Sequence, residues 1–391
     1  MLGSQITTHK GFAFKSGWYT PAGTPIVKVS DFTENSIDTA SLTFIPTELA
    51  AAFSRYRLEE GDVVIQTVGS WPSNPQSVVG KVVRVPRRAS GALLNQNAVI
   101  VQPKPPLDKR FLFYLLRSPL FKHYIIGTAQ GAASQASITL DSIRGFCFKL
   151  PSAPVQRRIA TILSAYDDLI ENSTRRITIL EEMAQAIYRE WFVHFRFPGH
   201  EKVKMFTSKQ GPLPQTWSVQ RVRELVKRLK AGRVYTDSDV VDEGNVPVID
   251  QSRTSLLGYH DNAPDFWATP SNPIVVFGDH TCKMQLMVEP FSVGPNVVPF
   301  VSNTKLPILY LFFVIRNLVE TKEYKRHWTE LTNKAVILGA REVAEEFARS
   351  TTTILEEINL LMHKNENLRR SRDLLLPKLI AGEIPLKKPG H

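Results

Sequence analysis

The 391-residue sequence contains only two cysteines, Cys147 and Cys282, far apart in the chain. So few thiols exclude a disulfide framework and fit a reducing compartment; both read as packed small hydrophobes. No apolar run is long enough to span a bilayer. The most apolar stretch, Pro307 to Val319, is too short and carries Arg316. The opening residues, MLGSQITTHKG, are polar and unlike a secretory signal. These absences lead us to expect a soluble cytoplasmic protein. Phosphate-cradling loops are missing as well: neither G-x-G-x-x-G nor a P-loop occurs. SNPQ and SNPI contain Asn-Pro, but neither continues with the Pro-aromatic pair that an amino-methyltransferase needs. His280 and Cys282 lie two apart without the further ligands of a zinc site. Asp265 and the triplet Glu323-Tyr324-Lys325 are too widely separated to read as a nuclease centre. No catalytic residue and no metal site is expected in this chain.

Glycine and proline are absent from two long stretches, Val155 to Phe197 and Ala340 to Leu376. In the first, Ile159, Tyr166, Ser173, Leu180 and Ile187 recur every seven residues, interleaved with Leu163, Ile170, Ile177, Ala184 and Trp191. Alternating spacings of four and three make this a heptad seam. Arg157, Arg158, Asp167, Asp168, Glu171, Arg175, Arg176, Glu181, Glu182, Arg189 and Glu190 are read as solvated positions on the other faces. Pro151 and Pro154 precede the helix, where proline is tolerated, and Pro198-Gly199 ends it. A helix of this length measures about 50 Å and needs a partner helix to cover its stripe. Displacing the seam by 188 gives Phe347, Ile354, Leu361, Leu368 and Leu375 on one track. The other track becomes Thr351, Ile358, Asn365, Arg372 and Leu379. Three polar residues interrupt that second track, and a polar seam residue can set register.

The repeat extends beyond the helices. LDKRFLFYLLRS (Leu107 to Ser118) parallels LPILYLFFVIRN (Leu306 to Asn317), and EGDVVIQTVGS parallels SNPIVVFGDHT. GTPIVKVSD parallels GNVPVIDQS, and QNAVIVQP parallels GPNVVPFV, all in the same order. Short β-rich runs bounded by Gly, Pro, Asn and Ser, with one apolar helix in each half, give an α+β class. We expect target-binding domain one at 1–150, a central spacer helix at 151–198, domain two at 199–338, and a distal spacer helix with C-terminal tail at 339–391. Chain length favours antiparallel helices, since a parallel pair would require domain two to return the chain the full length of the rod. The expected architecture is two globular α/β domains separated by a two-helix coiled-coil spacer, related by a pseudo-two-fold axis.

Net charge is +11, which suits a polyanionic partner. Two similar domains at a fixed spacing resemble a dimeric DNA reader whose half-sites mirror its symmetry. The arrangement resembles the specificity subunit of Type I restriction-modification systems over nearly the whole chain. Ile138, Leu150, Pro151, Gln156, Ile159, Ala160, Leu163, Asp167 and Ile170 fit the family's passage into its central helix. Leu379, Ile380, Gly382, Glu383 and Ile384 fit its distal run. LPQTWSVQRVREL (Leu213 to Leu225) is similar to the usual start of a target recognition domain. No such Leu-Pro-x-x-Trp opening precedes the first domain, so its N-terminal edge is expected to be abbreviated.

The resemblance implies a non-catalytic subunit that reads a bipartite, asymmetric site in double-stranded DNA. It also implies two modification subunits carrying S-adenosylmethionine, restriction subunits that use ATP and Mg, and no cofactor in this chain. Base edges and phosphates call for Lys, Arg, Asn, Gln and small polar groups. The loop after DVVIQ offers Thr67, Ser70, Asn74, Gln76 and Lys81, with Lys15, Lys28 and Ser30 in support. The second domain offers Gln251, Ser252, Arg253, Asp279, His280, Lys283 and Gln285. Trp191 and Phe192 are candidates for subunit docking. The competing readings are a coiled-coil protein–protein adaptor without DNA recognition and an enzyme with an unfamiliar site.

Overall fold

The structure is a computed structural model. It describes residues 1–71, 78–132, 135–208, 211–252, 255–321, 323 and 325–386. Two compact units emerge, Met1–Ile170 with Glu366–His391, and Glu171–Asn365.

In the first unit, β1 (Ile6–Lys10), β4 (Val63–Gln66), β5 (Val82–Arg84) and β7 (Ala98–Pro103) form an antiparallel sheet in the order β1-β7-β4-β5. A smaller sheet joins β2 (Thr24–Val27) antiparallel to β3 (Thr43–Ile45) and parallel to β6 (Leu93–Leu94). Helix α1 (Lys109–Arg117) follows β7, capped by Asp108, whose carboxylate accepts from the backbone N–H groups of Arg110 and Phe111. The central strands are apolar on both faces. Val63, Ile65, Val99 and Val101 join the core of α1, while Val64, Val83 and Ile100 join Val27, Phe32 and Leu94. Burial on both sides explains why DVVIQ reads as a continuous apolar run rather than an alternating one.

The long helix α2 (Ala153–Tyr188) takes in Pro154 in its first turn, where a missing N–H costs nothing. It runs into a π-turn at Arg189–Val193, and Phe195 adopts a left-handed φ of 58°, so the helix stops before Pro198.

The second unit repeats the plan. β8 (Val226–Arg228), β11 (Ile274–Gly278), β12 (Met284–Met287) and β14 (Val297–Ser302) are ordered β8-β14-β11-β12, matching the first sheet strand for strand. β9 (Val246–Ile249) pairs antiparallel with β10 (Leu256–His260) and parallel with β13 (Ser292–Val293), again as in the first unit. The stretch Pro307 to Val319 supplies α3 (Ile308–Ile315), which is buried against β11 and β14 residues rather than lipid-facing. No helix among the described residues is long and apolar enough to cross a membrane. After α4 (Trp328–Asn333) comes α5 (Arg341–Ala381), which continues through Pro377. Gly382, at φ +76°, ends it: Glu383 N–H donates to Lys378 O at 2.9 Å, closing a left-handed cap that a Cβ would disfavour. The class is α+β with an internal repeat.

Within the second unit the helices run antiparallel. Thr174 contacts Asn365, Arg176 pairs with Glu357, and Tyr188 meets the ring of Phe347. All twenty seam positions are buried or half-buried, including Thr351, Asn365 and Arg372. These three polar seam residues are handled differently. Thr351 Oγ1 donates to its own helix at Phe347 O (2.7 Å). Asn365 Nδ2 donates to Thr174 Oγ1 at 3.2 Å, and its Oδ1 is buried with no partner among the described residues. Arg372 pairs with Asp167.

Two expectations need correction. Asp167 is not solvated: it is only 6% exposed, because Arg372 and Tyr114 draw it inward. Cys147 is exposed rather than packed, lying in an extended segment outside the core; Cys282 is half-buried.

Candidate nucleic-acid interface

In the first unit, β2 ends in a tight turn at Val29–Asp31. Asp31 Oδ2 accepts from Lys28 N–H at 2.7 Å, and Ser30 Oγ donates to Asp31 Oδ1 at 3.2 Å. Burial raises the Asp31 carboxyl above its ordinary value, against these bonds. Lys28 Nζ lies 4.3 Å above the Tyr19 ring and donates to Thr43 Oγ1. Lys81 Nζ donates to Phe32 O at 3.1 Å, and burial lowers its pKa. The turn therefore gathers Lys28, Ser30 and Lys81. Lys15 stands apart, exposed beside the Trp18 ring.

The loop after β4 follows a different course. Thr67 is 4% exposed; its backbone is bonded to Asn97 and Ile138, and its hydroxyl is buried without a partner among the described residues. Ser70 is half-buried beside Val78, and Trp71 Nε1 donates to Ala132 O at 2.9 Å. That bond ties the loop to the strands Gln130–Ala132 and Gln135–Ser137, whose Gln130, Gln135 and Ser137 are exposed. A short Gly-Ala-Ser run has no periodic signal, so these residues do not stand out in the sequence. Asn74 and Gln76 lie outside the described residues.

In the second unit, the segment after β9 and the β11–β12 connection come together. Gln251 Oε1 accepts from His280 N–H at 2.9 Å; Lys283 Nζ donates to Ser252 O at 3.3 Å and also bonds Ser255 Oγ. Ser252 Oγ donates to Asp250 Oδ1. Burial lowers the Lys283 pKa, against the charge of Asp250. His280 Nδ1 lies 3.0 Å from Lys325 O, so that nitrogen carries the proton. Asp279 faces inward: its Oδ1 accepts from His327 N–H and Trp328 N–H, capping α4. Gln285 sits on edge strand β12 opposite Val276. Arg253 lies outside the described residues. Among the described residues no group of His, Cys, Asp and Glu could hold a metal ion.

Trp191 and Phe192 occupy the π-turn after α2. Phe192 is 7% exposed among Trp217, Tyr310 and Phe347, and Trp191 is half-buried on Phe347. Leu213 and Trp217, from the Leu-Pro-x-x-Trp opening, are both buried, Trp217 against Phe192, Phe195 and Phe197. Gln156, from the central-helix passage, is fully buried. Its Oε1 accepts from Asp108 N–H, while its Nε2 donates to Pro106 O and Pro151 O. The amide thereby ties the start of α2 to the start of α1.

Residues 4–182 match the family described as the Type I restriction modification DNA specificity domain. Two proteins of Methanocaldococcus jannaschii are similar over most of their length. The Type I restriction enzyme MjaIX specificity subunit is 23% identical over 324 residues, covering 75% of this chain and 73% of that protein. The putative type I restriction enzyme MjaX specificity subunit is 22% identical over 386 residues, covering 93% and 88%. The chain is similar to the Type I restriction-modification specificity subunits, with the family match itself confined to residues 4–182. A crystal structure of the S subunit of a Type I restriction-modification system from M. genitalium shares the fold. Its TM-score is 0.55 at 14% identity, over 97% of this chain and 94% of that one. A specificity subunit is not the catalytic component, and its role is DNA recognition. Its partners are, in general terms, DNA and the rest of a restriction-modification complex. A coiled-coil adaptor without DNA recognition is not favoured.

Proposed function

We propose that this specificity subunit reads a bipartite, asymmetric duplex target, one half-site for each recognition domain, with the helix pair setting the unread gap. The recognition domains are residues 1–150 and 199–338, the central spacer helix 151–198, and the distal helix with its tail 339–391. The observation that carries this reading is the repeated sheet order, β1-β7-β4-β5 and β8-β14-β11-β12, joined to a heptad-patterned antiparallel helix pair. Two copies of one scaffold with unlike loops suit two unlike half-sites.

Lys28, Ser30 and Lys81, with Lys15, Thr67, Ser70, Asn74 and Gln76, form the first reading surface. Gln251, Ser252, Arg253, His280, Lys283 and Gln285 form the second, with Asp279 holding its loop in place. Two modification subunits that bind S-adenosylmethionine dock on the helices, one of them at the turn of Trp191 and Phe192. ATP-using restriction subunits complete the assembly, which works in the cytoplasm.

The test is duplex binding by the assembled methyltransferase complex across a salt series. Counterion release predicts a steep fall in affinity, and a flat response rejects DNA reading. Inserting one heptad at matched points of α2 and α5 lengthens the unread gap by about three base pairs, since roughly 10.5 Å of helix spans that much duplex. Mapping of methylated sites reads this out; an unchanged gap rejects the spacer.

A further inference from the structure

We infer that Arg372 is a positioning residue: through Asp167, Tyr114 and Glu34 it fixes how the first recognition domain sits on its helices, and so how strictly the complex enforces the gap length. This rests on the spacer reading above.

Arg372 occupies a seam position of α5 and is 1% exposed. Its Nη1 donates to Asp167 Oδ1 on α2 at 2.7 Å, its Nη2 to Glu34 Oε1 at 2.9 Å, and its Nε to Asp373 Oδ1 at 2.9 Å. Asp167 Oδ2 also accepts from Tyr114 Oη on α1 at 2.6 Å. Glu34 lies 3.5 Å from both Arg117 and Arg369. One guanidinium thus connects both helices of the pair, the α1 helix of the domain and the loop carrying Glu34. That loop follows the turn of Lys28 and Ser30, and Lys81 is bonded to Phe32 beside it.

The heptad seam does not require a charge there. The corresponding position of α2 is Ala184, buried in the second unit. A buried ion pair is also weak evidence for stability, since apolar replacements of similar volume often fold as well; register is its best-attested use. The guanidinium fork supplies direction, which apolar contact lacks. Direction matters because adjacent base pairs are separated by only about 3.4 Å along the duplex. A domain able to slide or tilt by that distance would accept a gap one pair too long or too short.

The experiment uses the assembled complex with its modification subunits. Methylation rates are measured on the mapped target and on duplexes with the gap one pair longer and shorter. In the double variant Arg372→Met, Asp167→Leu, the complex assembles and methylates the mapped target, while its preference over the altered gaps falls about tenfold. Tyr114→Phe, which removes one hydroxyl, lowers the preference by less. His363→Gln, at a contact between α5 and Glu289 in the second unit, leaves it unchanged. Undiminished preference in both the double variant and Tyr114→Phe overturns the inference while leaving the spacer reading intact. A wild-type complex indifferent to gap length overturns both. If the double variant fails to assemble, Tyr114→Phe decides alone: unchanged preference refutes, reduced preference supports.

Discussion

The two units place different chemistry at equivalent joints between their globular parts and the long helices. In the first, Arg372, Asp167 and Tyr114 form a buried polar joint. Burial alone would lower the Arg372 pKa, but its bonds to Asp373 and Asp167 outweigh that and hold the guanidinium above its ordinary value. Burial, then the charge of Asp167 and the hydrogen bond to it, push the Tyr114 phenol well up. In the second unit, the residue corresponding to Arg372 is Ala184 and the one corresponding to Tyr114 is Phe313. There the joint is a nest of rings: Tyr188 stacks on Phe313 and Phe192, and Phe347 meets Tyr188, Trp191, Phe192 and Phe313. Tyr310 Oη accepts from Gly339 N–H, at a glycine where a Cβ would strike the Phe192 ring at 2.6 Å. The comparison shows that a heptad frame demands burial at a position but not apolarity. A charge is tolerated wherever the rest of the fold satisfies it.

The largest expected effect tests the polar joint. Arg372→Ala leaves Asp167 buried without its counter-charge and costs about 3–5 kcal/mol, seen as a lowered denaturation midpoint; a loss under about 1 kcal/mol would place Asp167 in water instead. Next come the matched hydroxyl deletions. Tyr114→Phe withdraws a donor from a carboxylate and costs about 1.5–3 kcal/mol, whereas Tyr310→Phe removes a neutral acceptor and costs about 1 kcal/mol. Equal losses in chemical denaturation would erase the distinction between the joints.

A pH effect follows from the aromatic joint. Burial pushes Tyr188 up to about 12, above the value of about 10 for an unfolded tyrosine. The fold favours the neutral phenol, so this contribution is intact below pH 10 and is lost as pH rises toward 12. Tyr188→Phe should flatten the alkaline loss of stability in that window; an unchanged pH profile excludes Tyr188 as a contributor. The smallest effect belongs to the exposed pair Arg176–Glu357, at 2.6 Å. Glu357→Gln should cost about 0.2–1 kcal/mol and lose its effect at high salt.

Much of the frame was legible beforehand. The twenty seam positions, the two apolar helices and the order of the repeated strands all appear where periodicity and internal similarity put them. Heptad counting places Asp167 beside the seam and so in solvent, but its acceptors are filled from α1 and from a residue 205 positions away. The interface residues were the least legible. Asp279 looked available for DNA, but His327 and Trp328, 48 and 49 residues further on, use its carboxylate as a cap. Gln251 and His280, read separately, turn out to hold one another.

Helical period, strand order and the duplication were determined by the sequence itself, because each arises from contacts a few residues apart or from similarity between segments of one chain. Which polar groups remain available, and which are consumed inside the protein, was decided only by the tertiary structure. A hydrogen-bonding group is committed by whatever partner the fold brings within about 3 Å, and linear order carries no record of that distance.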